Sequence, residues 1–219
     1  KLAHEIKNPL TPIQLTIDRL KTKYSEKMES QNKDDFTKSL KIIGKQIKQI
    51  ENLVNEFSDF ARMPKPIPKD NNLVSLIIDN INLIKELDNN IKINFSTDTK
   101  DVIFNSDNEQ LSRVFFNLIK NSIESIQDKK LNNANFKGEI DITLIENQSY
   151  IDFIIIDNGL GFGLFANNIK NILNPYFTTK EKGTGLGLSI VNKIINDHNG
   201  SINFIPIENG AKIQIRFIK

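Results

Sequence analysis

Three glycines at alternate positions, Gly183, Gly185 and Gly187, run into a segment whose apolar residues Leu188, Val191 and Ile195 recur at helical spacing. Without a Cβ these positions let successive N–H groups converge on an anion, and the electropositive start of the helix faces the same anion. The stretch Lys182 to Val191 can therefore bind phosphate; the plain alternative is a flexible loop ahead of a surface helix. It is not a P-loop, which needs a Gly-Lys-Ser/Thr ending. Nor is it a dinucleotide fingerprint, whose third glycine would fall on Leu188 and whose preceding strand is missing.

Other residues can do complementary chemistry. His4 lies about 200° around a helix from Ile6, which places it away from that helix's apolar seam and toward solvent. A lone exposed histidine is usually a solvated surface residue. Here Glu5 adjoins it, able to take the imidazole proton as the ring attacks phosphorus, and Asn8 follows one turn later on the same face. Asn117 and Asn121 also share a face, either as a solvated or hydrogen-bonded pair or as oxygen ligands for Mg²⁺, a hard ion that keeps waters and bridges to phosphate. Asp157 stands where an apolar run gives way to Gly159 and Gly161. That pattern suits a simple turn, or a carboxylate accepting a hydrogen bond from an exocyclic amine while the glycines let backbone approach the base.

The elements that must position these groups are legible in outline. Leu10, Ile13, Ile17, Leu20 and Tyr24 alternate in steps of three and four and predict a helix to about Lys27. Pro9 and Pro12 predict a kink just after His4. The polar stretch from Ser25 to Asp35 breaks the pattern. Phe36, Leu40, Ile43, Ile47, Ile50, Val54, Phe57 and Ala61 then mark a second helix. Two such helices cannot bury both seams alone, so a hairpin that dimerises into a four-helix bundle is expected, over residues 1–62. Pro64, Pro66 and Pro68 forbid helix and predict an extended linker over 63–68. Beyond it, 69–219 mixes helix and strand. A helix capped by Asn71 or Asn72 runs to about Leu87, strands follow at 91–95 and 102–105, and a helix capped by Asp107 carries both asparagines. A hairpin spans 139–156 through Asn147-Gln148, and closing strands are expected at 201–205 and 211–217. Phe162 to Lys182 reads as a lid.

Composition excludes other classes. The chain of 219 residues is 38% hydrophobic with a net charge of +2 from 29 basic and 27 acidic residues, and no long single-sign run suggests nucleic-acid binding. No cysteine means no disulfide framework, thiolate zinc site or cysteine nucleophile, which fits a reducing cytoplasm. No apolar run approaches the roughly 20 residues of a membrane span, so no direct membrane contact is expected of this segment. A start at Lys1 in mid-helix, without Met or a capping residue, reads as a piece of a longer protein.

Leu2-Ala3-His4-Glu5-Ile6-Lys7-Asn8-Pro9-Leu10 resembles the H-box of sensor histidine kinases, and with Thr11-Pro12-Ile13-Gln14 it is most similar to the nitrogen-regulation, NtrY-like branch. Asn117-Leu118-Ile119-Lys120-Asn121, then Asp157-x-Gly-x-Gly, then Gly183-x-Gly-x-Gly resemble the Bergerat site of the GHKL ATPases, and Asn174 to Lys180 resembles the kinase F-box. The resemblance implies a dimerisation and phosphotransfer hairpin followed by an α/β-sandwich ATP-binding domain. It implies His4 as phospho-acceptor, Glu5 as neighbouring acid or base, and Asn8 as the residue orienting water when a phosphorylated partner is hydrolysed. Asn121 would hold Mg²⁺, with Asn117 and Lys120 on the phosphate side and Asp157 reading adenine beside Gly159 and Gly161. Phe177 would anchor the lid, Lys180 or Lys182 would neutralise phosphates, and Gly183, Gly185, Leu186 and Gly187 would wrap the ATP phosphates. The implied partners are a response-regulator receiver domain and a second copy of the chain. His198, in Asp197-His198-Asn199-Gly200, departs from the family's His-Gly-Gly and reads as a helix-end residue. A GHKL ATPase of the chaperone, mismatch-repair or topoisomerase kind would share the second domain but has no need of His4 on a hairpin. A non-catalytic dimerisation scaffold would not need every glycine and both asparagines.

Overall fold

The computed structural model describes residues 2–24, 30–87, 90–133, 135–162, 171–178 and 184–219. Contacts divide the chain into two compact units, Lys1–Met63 with Lys180–Leu186, and Pro64–Thr179 with Gly187–Lys219.

In the first unit, helices α1 (Leu2–Tyr24) and α2 (Ser30–Ala61) pack together. Pro9 and Pro12 lie inside α1, which is helical through both, and the Thr16 hydroxyl bonds the Pro12 carbonyl at 2.8 Å. Helix α2 begins at Ser30, six residues before the first seam position Phe36, so the polar run expected to interrupt helix is partly helical. Gln31 and Lys33 are good helix formers and need no buried partner. Ile17, Leu40 and Ile47 form the buried cluster, with Leu10, Leu20 and Phe36 packed against it. Ile13, Ile43 and Ile50, on the same three-four seam, stay exposed.

The second unit is a sheet covered by helices. Strand β1 (Lys69–Asn72) pairs antiparallel with β3 (Ile103–Ser106). Between them come α3 (Leu73–Leu87) and β2 (Lys92–Thr97), and after them α4 (Asn108–Asn132), β4 (Glu139–Glu146), β5 (Tyr150–Asp157), α5 (Gly187–Asp197), β6 (Gly200–Ile207) and β7 (Gly210–Ile218). The main sheet has the order β2-β4-β5-β7-β6, parallel only between β2 and β4. Alternation along β5 decides the layers: Ile151, Phe153 and Ile155 are buried, and Phe153 meets Phe115 of α4 with ring centroids 4.7 Å apart. On the opposite face, Arg216 holds Asp152 through two hydrogen bonds of 2.7 and 2.6 Å and lies over the Tyr150 ring.

Helix starts are chemically specified. Asn72 ends β1 and caps α3, its side-chain oxygen accepting the Val74 N–H at 3.0 Å. Asp107 caps α4 by accepting the Gln110 N–H at 3.1 Å, and its other oxygen accepts the Ile67 N–H at 2.9 Å. Gln110 donates to the Pro64 carbonyl. The proline stretch expected as an extended connector is stapled to the start of α4.

Candidate functional site

Helix α4 and the end of β5 build the site's frame. Asn117 and Asn121 sit one turn apart on α4, both half-buried, and the Asn117 amide donates to the Arg113 carbonyl at 2.8 Å. Lys120 is exposed, 3.9 Å from the Glu124 carboxylate. Gly187 opens α5, where a Cβ would lie 3.7 Å from the Asn117 side-chain oxygen. The start of α5 therefore approaches the asparagine face of α4.

Asp157 is the last residue of β5 and is buried. One carboxylate oxygen accepts the Ser122 hydroxyl at 2.9 Å, and the other accepts the Gly159 N–H at 2.9 Å. Burial pushes this carboxyl above its usual range, against the opposing pull of the Gly159 N–H, the Ser122 hydroxyl, the Ala211 N–H and the Lys129 ammonium. A buried carboxylate that accepts from the Gly159 and Ala211 N–H groups and the Ser122 hydroxyl retains acceptor capacity for one more donor, which is what recognition of an exocyclic amine needs.

The turn after Asp157 is seated on α4. A Cβ at Gly159 would fall on the Ser125 hydroxyl and within 2.8 Å of the Ser125 backbone carbon, so only glycine fits. Gly161 has φ +70 and abuts Gly210, itself at φ +119 against the Asp157 carbonyl. Ser125 accepts the Leu160 N–H at 2.9 Å, and Lys129 donates to the carbonyls of Asn158 and Gly159 at 2.7 and 2.9 Å. Ser122, Ser125 and Lys129 escaped the sequence reading; their signal is a polar stripe at helical spacing on α4.

The remaining sequence candidates are less assembled. Gly185 has φ +71, and Leu186 is buried with its N–H toward the Thr184 hydroxyl. Phe177 is half-buried in a turn, donating its N–H to the Asn174 carbonyl at 3.2 Å. Lys180, Lys182 and Gly183 lie outside the described residues, as does much of the expected lid. His4, Glu5 and Asn8 fall on the first two turns of α1, in the other unit.

His198 directly follows α5, as its place in the sequence suggests, but is buried and bridges two elements. Its Nδ1 lies 2.8 Å from the Ile194 carbonyl, and its Nε2 accepts the Asp107 N–H at 3.0 Å. A carbonyl can only accept and an N–H can only donate, so the ring is the neutral Nδ1–H tautomer. It borders a cleft of about 420 Å³ lined by Pro66, Pro68, Ile103, Phe104 and Ile218. That cleft shares no residue with Asn117, Asn121 or Asp157, and its polar borders are engaged: Asp197 with Lys193, Lys219 with Glu146. It belongs to the packing of the linker rather than to the site. No group of three or more His, Cys, Asp or Glu side chains that could hold a metal ion occurs among the described residues.

Residues 106–219 match the histidine kinase-, DNA gyrase B- and HSP90-like ATPase family, and residues 1–66 match the His kinase A phospho-acceptor domain. The chain is 38% identical over 218 residues to a Rickettsia felis protein named as an NtrY-like sensor histidine kinase, covering 99% of this chain and 35% of that protein. To the nitrogen regulation protein NtrY of Azorhizobium caulinodans it is 36% identical, over 98% of this chain and 28% of the relative. The chain thus spans about a third of the length of these relatives. Among solved structures, the catalytic domain of histidine kinase ThkA aligns with TM-score 0.61 at 31% identity, over 69% of this chain and 95% of that domain. ThkA in complex with the response regulator protein TrrA aligns with TM-score 0.69 at 27% identity, over 100% of this chain and 60% of that chain. The buried carboxylate at the end of β5, the asparagine face of α4 and the histidine-bearing hairpin find their common explanation here: the chain belongs to the histidine kinase-, DNA gyrase B- and HSP90-like ATPases and, within them, to the NtrY-like sensor histidine kinases.

Proposed function

We propose that this chain is the phosphotransfer core of a sensor histidine kinase: the Pro64–Lys219 part binds ATP, the γ-phosphate passes to His4, and His4 passes it to an aspartate of a response-regulator receiver domain. The observation that carries the reading is Asp157, a buried carboxylate with acceptor capacity to spare, fixed against the helix that bears Asn117 and Asn121. Asp157 reads the adenine amine, Gly159 and Gly161 admit the base, and Gly185, Leu186, Gly187 and the start of α5 receive phosphates, with Lys120, Lys180 and Lys182 as neutralising cations. Phe177 anchors the segment over the nucleotide. Asn121 and the phosphates together fit Mg²⁺, a hard ion needing few protein oxygens, and the ion would supply charge neutralisation at the transferring group.

On α1, Glu5 takes the proton of the attacking imidazole, and Asn8 orients water when the phosphorylated receiver is hydrolysed. Residues 1–62 are the dimerisation and phosphotransfer hairpin, 63–68 the linker and 69–219 the ATP-binding domain. In this reading the chain is the cytoplasmic output part of a larger sensor, which the greater length of the relatives supports.

The test is incubation with γ-labelled ATP and Mg²⁺. An acid-labile, base-stable phosphoprotein is expected, absent from His4→Gln, which should keep its nucleotide affinity. Undiminished labelling of His4→Gln would move the acceptor elsewhere. Asn121→Ala should lose Mg²⁺-dependent transfer, and Asp157→Asn should chiefly weaken adenine-nucleotide binding.

A further inference from the structure

A lysine near the end of a helix ordinarily reaches solvent or its own helix's last carbonyls. Lys129, in the last turns of α4, instead crosses to another element: its Nζ donates to the carbonyls of Asn158 and Gly159 and lies 4.5 Å from the Phe136 ring centroid. These carbonyls belong to the two residues that follow Asp157. The same turn is held from its other side, where Asn158 accepts the Glu139 N–H at 2.9 Å and donates to the Lys137 carbonyl at 3.0 Å. Between these supports, the Gly159 N–H is kept on the Asp157 carboxylate. Removing the ammonium would leave two half-buried carbonyls unpaired and free the Asn158–Gly159 peptide to rotate, taking the Gly159 N–H with it.

We propose that Lys129 is a positioning residue for the base-reading end of the nucleotide site, acting through the Asn158 and Gly159 carbonyls to fix the orientation of Asp157. It touches neither nucleotide nor metal. The proposal rests on the reading of Asp157 as the adenine reader and extends it to a residue that no motif marks.

Two alternatives predict different data. A cation attracting phosphates from a distance would matter more as phosphates are added, whereas a residue that shapes the base site weakens every adenine nucleotide alike. Lys129→Met keeps the stem and removes the donors; Lys129→Arg keeps charge and donors. Affinities of AMP, ADP and ATP should be measured by NMR titration on the 219-residue chain, alongside Asp157→Asn and thermal melting of each variant. The expected result is a loss of roughly tenfold in Lys129→Met that is equal across the three nucleotides, with Lys129→Arg near wild type. Unchanged affinity in Lys129→Met, or a loss that grows from AMP to ATP, overturns the proposal. Should Lys129→Met not fold, Lys129→Gln, able to serve one carbonyl, decides the matter: an intermediate and phosphate-independent loss supports it and no loss overturns it. If Asp157→Asn binds like wild type, the underlying site reading fails; if Asp157→Asn is impaired while Lys129→Met is not, the role of Lys129 alone is lost.

Discussion

Asp157 is a titratable group whose burial couples it to the stability of the fold. Burial raises its pKa above the ordinary aspartate value near 3.8, so the folded chain holds this proton more tightly than the unfolded chain. As pH falls from neutral through the raised pKa toward that ordinary value, the wild type gains stability that Asp157→Asn, having no titrating group, does not. The melting temperature of wild type relative to Asp157→Asn should therefore rise on acidification and level off below the usual aspartate range; a flat difference would mean the carboxyl is not held in a desolvated state. At Gly159 the constraint is steric. An added methyl meets the Ser125 and Ile126 backbone, which cannot step aside as a side-chain tip could. Gly159→Ala should cost about 1–3 kcal/mol in a urea titration, together with nucleotide affinity.

At the scale of elements, what could be read from sequence followed periodicity and what could not followed partners. The Asp107 cap, the antiparallel β4–β5 pair and the β7 strand announce themselves through residue type and alternation. Strand β1 does not: Lys69-Asp70-Asn71-Asn72 has no apolar alternation, and it pairs with β3 through polar contacts such as Asn71 to the Ser106 carbonyl and Asn105 to Asp70. Ser122, Ser125 and Lys129 are visible as polar residues on α4, but one sequence does not say which turn they meet. The same blindness hid the linker's attachment. Pro66 and Pro68 flank Ile67, whose N–H goes to the Asp107 carboxylate, while His198 holds the Asp107 N–H. Asp107→Asn isolates that attachment, because asparagine caps a helix as well as aspartate yet has only one oxygen to offer. Hydrogen exchange at Ile67 should accelerate in Asp107→Asn with α4 intact; unchanged exchange would mean the linker is held otherwise. Burial alone would raise the Asp107 pKa, but the N–H groups of Ile67, Gln110 and Glu109 hold it below the usual range. Its contribution is therefore full above about pH 4 and lost as pH falls through the lowered value. The wild type should show an acid-limb loss of melting temperature that Asp107→Asn lacks.

For the whole molecule, the deciding feature is the part of the first unit's seam left uncovered. Along α2, Leu40, Ile47 and Val54 recur every seven residues and are buried, whereas Ile43 and Ile50, also seven apart, are 46% and 44% exposed. Ile13 of α1 is 44% exposed as well. One hairpin can satisfy only one of the two apolar rows that a three-four repeat creates, and a second copy offers the same row by symmetry. Burying the exposed part of each isoleucine, a little under half of its surface, is worth roughly 0.7–1.4 kcal/mol, and two-fold symmetry counts every residue twice, so covering this row favours association. The chain should therefore run as a dimer in light scattering at micromolar concentration. Ile43→Asp with Ile50→Asp should yield a monomer that still binds ADP, because the second unit, Pro64–Thr179 with Gly187–Lys219, carries its own core of Phe115, Phe153 and Phe217. A monomeric wild type, or a doubly substituted chain that still dimerises, would assign the exposed row to something other than self-association; loss of ADP binding along with the dimer would mean that the nucleotide unit depends on the bundle.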